Sequence, residues 1–183
     1  MCAVKAECCP ARTAAVAVSV AVVVSLAGCG TEDDRVPFAG TRKQSDADEQ
    51  TKKVSSGILD LIPVQGKVSE PGPTSAECGG GKDPHKYFRM LHTWSMTPEA
   101  KDRPKLAEAM KGLKKSLPER GWEVKSFARD SSRNRNLALV ADQDKKKFSI
   151  NVTHNAKDDP PHLVVSVISG CYRVPEGETV DFY

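Results

Sequence analysis

"KYFRMLHTWSM", Lys86 to Met96, puts Phe88, Met90, Trp94 and Met96 at every second position, with His92 among them. Arg89, Thr93 and Ser95 fall between them. Successive side chains of a β-strand point to opposite faces, so a period of two predicts a strand with one buried face. A half-buried strand needs cover, and the residues that follow supply it. Thr97-Pro98-Glu99 has the form of a helix start, with proline at the first position. Leu106, Met110, Leu113 and Leu117 then recur at helical spacing, and Pro118 and Gly121 end the run. Pro104 is expected to kink or restart that helix. Lys105, Lys111, Lys114 and Lys115 fall on its outer surface.

Working toward the C-terminus, four more strands are expected. "WEVKSFARD" alternates Trp122, Val124 and Ser126 with charged residues, and "NLALVAD" is short and apolar. "KFSINVTH" alternates Phe148, Ile150 and Val152 with Ser149, Asn151 and Thr153. "HLVVSVISGCY" is the most apolar and is expected near the centre of the sheet. Turn-forming residues separate them, which predicts an antiparallel meander. Toward the N-terminus, Ser45 and Asp48 resemble a capping box before Val54, Ile58 and Leu61, and Pro63 stops this first helix. Residues 64–84, with Pro71, Pro73 and three successive glycines, read as loop. The expected fold is α+β: a mostly antiparallel five-stranded sheet with two helices on one face.

The N-terminus has a different grammar. Lys5 and Arg12 precede an apolar run from Thr13 to Ala27, with Glu7 as an intrusion in the basic part. The order of basic region, short apolar region and small residues is that of a secretory signal peptide. The run is shorter than the roughly 20 residues that span a bilayer core. Leu26-Ala27-Gly28-Cys29 resembles the lipobox of bacterial lipoproteins: an aliphatic residue, two small residues, then cysteine. The resemblance implies diacylglycerol on the Cys29 sulfur and cleavage before it. Residues 1–28 are then a leader, 29–44 a flexible membrane-proximal spacer, and 45–183 a single domain on the extracytoplasmic face of the cell membrane. Two acyl chains suffice for stable anchoring, at about 0.8 kcal/mol per buried CH₂.

Losing the leader lowers the net charge of the chain from +3 by one unit, since Lys5, Arg12 and Glu7 depart together. So small an excess, with aromatic residues at 5%, argues against a nucleic-acid partner. Of six cysteines, Cys2, Cys8 and Cys9 leave with the leader and Cys29 takes the lipid. Cys78 and Cys171 remain, and in an exported chain such a pair is expected as a disulfide. Strand directions agree. If the first strand runs up, the helix returns down and the meander ends on a strand running down. Cys78 and Cys171 then lie at the same end of the sheet, within reach if those two strands are neighbours.

Other constellations carry less. "GGGK", Gly79 to Lys82, lacks the earlier glycine and the following Ser or Thr of a phosphate loop; Ala76 and Asp83 stand there. His154 and His162 flank "NAKDDPP" and could face each other near Asp158 and Asp159 as metal ligands, but are expected as solvated turn residues. His92 is expected as a sheet histidine, not a base. No serine sits in a nucleophile-elbow setting. Acidic residues Glu99, Asp102, Glu108 and Glu119 dilute the lysine face of the second helix. Asn151-Val152-Thr153 matches a glycosylation sequon that is idle in bacteria. No catalytic residue, metal or cofactor is expected.

The layout also resembles the small lipoproteins of unknown function of high-GC Gram-positive bacteria, through the lipobox, the "HTW" strand, the "LPERGW" helix end and the late "CYRVP". That resemblance implies no activity. The leading expectation is an anchored, non-catalytic binding or envelope-assembly module. The alternatives are a small-ligand carrier and, third, an envelope enzyme. An open apolar cavity would favour the carrier. A cleft grouping His92 or His154 with carboxylates would favour the enzyme. A flat sheet face or exposed apolar patch would favour protein binding.

Overall fold

A computed structural model describes residues 36–69, 71–79 and 82–182. The lipobox residues Leu26, Ala27, Gly28 and Cys29 lie outside the described residues. The chain forms β1 (Phe38–Thr41), α1 (Gln44–Leu59), β2 (Gly66–Val68), β3 (Thr74–Glu77) and β4 (Tyr87–Pro98). A 3₁₀ segment, Ala100–Lys105, leads into α2 (Leu106–Ser116) and a second 3₁₀ turn, Pro118–Arg120. β5 (Glu123–Arg129), β6 (Leu137–Gln143), β7 (Phe148–Asn155), β8 (His162–Ser169) and β9 (Cys171–Arg173) complete it. The class is α+β as expected, but the sheet is larger and mixed. Its order is β1-β9-β4-β8-β7-β6-β5, with β2 and β3 also paired to β4. β1 runs parallel to β9, and all other pairs are antiparallel.

The expectation of five strands is therefore corrected to nine. The five foreseen are β4 to β8. The four added are strands of three or four residues, too short to carry a period of their own. β2, β3 and β9 form against the longer β4, and β1 in turn adds to β9. β2 and β3 lie in the stretch read as loop and pair along the twelve-residue β4. β1 lies in the stretch read as spacer, and pairs with β9 from Phe38 to Thr41. Two glycines permit this closeness. A Cβ on Gly66 would strike the backbone of Thr97, and one on Gly170 would stand 2.7 Å from the Pro37 carbonyl oxygen.

The alternation that opened the reading holds along β4. Phe88, Met90, His92, Trp94 and Met96 are buried, and the residues between them are less so. β8 is internal, between β4 and β7, as its apolar sequence suggested. Both helices cover the same face. Leu106, Met110, Leu113 and Leu117 are at most 1% exposed and share one core cluster with Ile58, Trp94, Met96, Trp122 and the inner residues of β6, β7 and β8. Each large aliphatic side chain so buried contributes about 1.5–3 kcal/mol. A second cluster joins Ala47, Phe88, Met90, Tyr172, Val174 and Val180. Its aromatic centre is the tilted pair Phe88–Tyr172, with ring centroids 5.7 Å apart.

The helix starts differ from expectation. β4 continues through Thr97 and Pro98, because these pair with Lys67 and Gly66. Pro98 can end a strand, where a missing N–H costs least. Pro104 lies inside the 3₁₀ segment, and the α-helix starts at Leu106. Ser45 does not cap α1, which begins one residue earlier behind Lys43. Its first turn is instead tied to the C-terminal segment. The Gln44 carboxamide donates to the Asp181 carbonyl at 2.5 Å and accepts from the Asp181 N–H at 3.0 Å.

Candidate functional site

Four features could carry function: the disulfide corner, the outer sheet face, the β7–β8 hairpin, and the seam between α1 and the sheet.

Cys78 and Cys171 form a disulfide, with Cα atoms 5.6 Å apart. It links the residue after β3 to the start of β9, and both strands pair with the N-terminal end of β4. The direction argument thus led to the right corner. Lys82, the lysine of "GGGK", belongs to this corner and not to a phosphate loop. Its ammonium lies 3.7 Å from Cys171 Sγ and over the rings of Phe38 and Tyr87, at 5.4 and 5.0 Å.

The outer sheet face is rich in small polar side chains. Thr93 and Ser166 hydroxyls meet at 3.0 Å across β4 and β8, and Ser149 donates to Asp142 at 2.7 Å across β7 and β6. Such cross-strand pairs satisfy one another and stabilise the sheet. Half-buried Leu91 and Ile168 face each other among them.

The hairpin histidines are not the solvated pair expected. His154 ends the inner face of β7 opposite Leu163 and is 8% exposed. Burial holds its pKa below the usual histidine value, and the positive charges of Arg129 and His162 push the same way. The alternation of Phe148, Ile150 and Val152 extends one step further than was read, and that step decides the side of His154. His162 lies beyond it, 3.9 Å from Asp158 Oδ2 and 3.1 Å from the Asn155 amide nitrogen. Among the described residues no group of three or more His, Cys, Asp or Glu is placed to hold a metal ion.

The lysine face of α2 is partly committed. Lys105 pairs with Asp102 and Lys111 with Glu108, each at 2.7 Å. Lys114 lies over the Phe127 ring at 5.0 Å.

The seam of α1 is the most site-like feature. α1 approaches the sheet through Ala47, Thr51, Ser55 and Ile58, spaced by one helical turn. These are mostly small, so the helix leaves room on both flanks. On one side a cleft of about 330 Å³ is lined by Lys52, Ser55, Ser56, Leu59, His92 and Trp94 among others. The Trp94 indole N–H donates to Ser55 Oγ at 3.3 Å at its floor. His92, 8% exposed, faces this space from β4. Lys52 at the rim is matched by Asp48 at 2.7 Å.

On the other flank a cleft of about 290 Å³ is lined by Val54, Ile58 and Leu61 of α1, by Arg120 and Trp122, and by Gln143 and Lys146 of the β6–β7 turn. Gln50, Lys53 and Gly57 complete the helix side. Among the described residues, neither flank is lined by a carboxylate. The stripe Val54, Ile58, Leu61 was legible in the sequence as the packing face of a helix. That Arg120 and Lys146, some 25 positions apart in the chain, meet it was not, because only the crossover of α2 brings them there.

No helix among the described residues is long and apolar enough to cross a membrane. Comparison with protein-family models found no match, and none was found among curated proteins or among solved structures.

Proposed function

We propose that the chain is a lipid-anchored, extracytoplasmic binding module that holds a small ligand at the α1 seam. The observation that carries the binding part is the pair of clefts beside α1, about 330 and 290 Å³ in volume. These sit near the lower bound of the roughly 300–1,000 Å³ of small-molecule sites. Their described polar lining is hydroxyl, carboxamide, indole, imidazole and cationic groups, the few polar groups that orient a ligand against apolar walls. The Leu26-Ala27-Gly28-Cys29 motif supports the anchor. The Cys78–Cys171 bridge supports an oxidising compartment, where such bonds persist.

The anchor is tested by expressing the chain and its Cys29→Ala variant in a bacterium with labelled fatty acid. The wild-type chain should carry label and sediment with membranes, and the variant should lose both. An unlabelled wild-type chain that stays with the membrane would sink the lipoprotein reading.

A further inference from the structure

The two clefts differ in charge, and the difference names a ligand class. In the first, Lys52, the one lysine or arginine among the described lining residues, is already paired with Asp48. In the second, three cations line the space: Lys53, Arg120 and Lys146. All three are exposed, none is ion-paired among the described residues, and no lining residue is acidic. Like charges gathered around one concave space raise its positive potential, most of all over low-dielectric walls. The walls here are apolar: Val54, Ile58 and Leu61 on the helix, and the buried Trp122 on the sheet side.

A buried amide adds directional chemistry. Gln143 is 8% exposed and lines the same cleft. Its Nε2 donates to the Arg120 carbonyl at 3.0 Å. A carbonyl oxygen only accepts, so this bond fixes which end of the carboxamide is nitrogen. The other end, Oε1, is buried with no hydrogen-bond partner among the described residues. A buried acceptor left unserved is costly, and a ligand donor would relieve it.

We infer that the cleft between α1 and the β6–β7 turn binds a small organophosphate monoester with an apolar body. A phosphate monoester carries about −1.5 to −2 charges near pH 7, suited to three cations, and its residual P–OH is a donor for Gln143 Oε1. The apolar body lies against Trp122, Ile58 and Leu61. This rests on the reading of the chain as a ligand-binding module and specifies which flank of α1 does the binding.

The test is calorimetric titration of the full chain with phenyl phosphate, inorganic phosphate and dihexanoyl phosphatidic acid. Phenyl phosphate should saturate one site, roughly tenfold tighter than inorganic phosphate because it also buries its ring. Lys146→Gln and Arg120→Gln should each weaken it by roughly three- to tenfold, with steeply lower affinity at high salt. Both residues are exposed, so melting should be unchanged and the loss cannot be blamed on unfolding. If the short-chain phosphatidic acid competes with phenyl phosphate, the ligand's source is a lipid headgroup; if it does not, the source is a free organophosphate. No saturable binding of phenyl phosphate, equal affinity for inorganic phosphate, or binding indifferent to both substitutions would overturn the site. Acylation of Cys29 is scored separately, so failure here leaves the anchor standing, and failure there leaves this site standing.

Discussion

The two helices lie on one face of one sheet and are seated by opposite means. α2 presents Leu106, Met110, Leu113 and the following Leu117, all essentially buried. α1 presents Ala47, Thr51, Ser55 and Ile58. Thr51 is fully buried, and its hydroxyl donates back to the Ala47 carbonyl of its own helix at 2.8 Å. Ser55 serves the indole N–H of Trp94. α2 fills the space between itself and the strands; α1 leaves clefts on both flanks. The lesson is a division of labour within one layer. Large aliphatic side chains convert a helix into core, whereas small and polar ones keep it close to the sheet while sparing volume for something else.

The sharpest way to break this comparison is to truncate each seat. Leu113→Ala should cost about 2–5 kcal/mol, the usual range for a fully buried leucine, read by denaturant unfolding. If that variant unfolds like the wild type, α2 is not the core helix described.

Replacing Cys78 and Cys171 together by serine should cost on the order of 4–5 kcal/mol at most, because the bridge closes a loop of 93 residues. The loss should fall unevenly. Ala47 of α1 packs with Phe88 and Tyr172, beside the bridged β9. Amide exchange should therefore quicken in the first turns of α1 more than in α2. Uniform quickening would mean the two helices are held alike.

Ser55→Ala deletes the acceptor of one buried N–H, through a bond that is already long. It should cost about 1 kcal/mol, well below Leu113→Ala. An equal cost would show that α1 is seated as firmly as α2.

The smallest expected effect is a pH dependence at His154, on the strand α2 packs against. Its folded pKa lies below its ordinary value of about 6.5. Above that value the imidazole is neutral in both states and costs nothing. As pH falls through 6.5 the unfolded chain takes the proton first, so stability should decline on the acid side until the folded pKa is passed. His154→Gln should flatten the melting curve against pH between 7 and 5. An unaltered slope would assign the decline to other groups.

Much of this was legible because it is local. A period of two from Phe88 to Met96 and a period near 3.6 from Leu106 to Leu117 are backbone geometry written in hydrophobicity. They suffice for one-sided cover of a sheet, for the interior place of β8, and for the burial of Trp94 and Trp122. Counting cysteines, with the strand directions, sufficed for the bridge. What stayed hidden depends on partners distant in the chain. Four short strands carry no period: β2, β3 and β9 form on unpaired backbone of β4, and β1 on that of β9. Gln44 at the start of α1 is met by Asp181, a partner that no capping pattern anticipates. His154 was placed in the turn because only one more step of alternation separates strand from loop. The candidate site is the extreme case. Lys53, Arg120, and the pair Gln143 and Lys146 come from three separate stretches of sequence and carry no motif. Their chemistry arises only when the α2 crossover and the β6–β7 turn close on the flank of α1, since charge and an unserved acceptor acquire meaning from what they face, which tertiary structure alone decides.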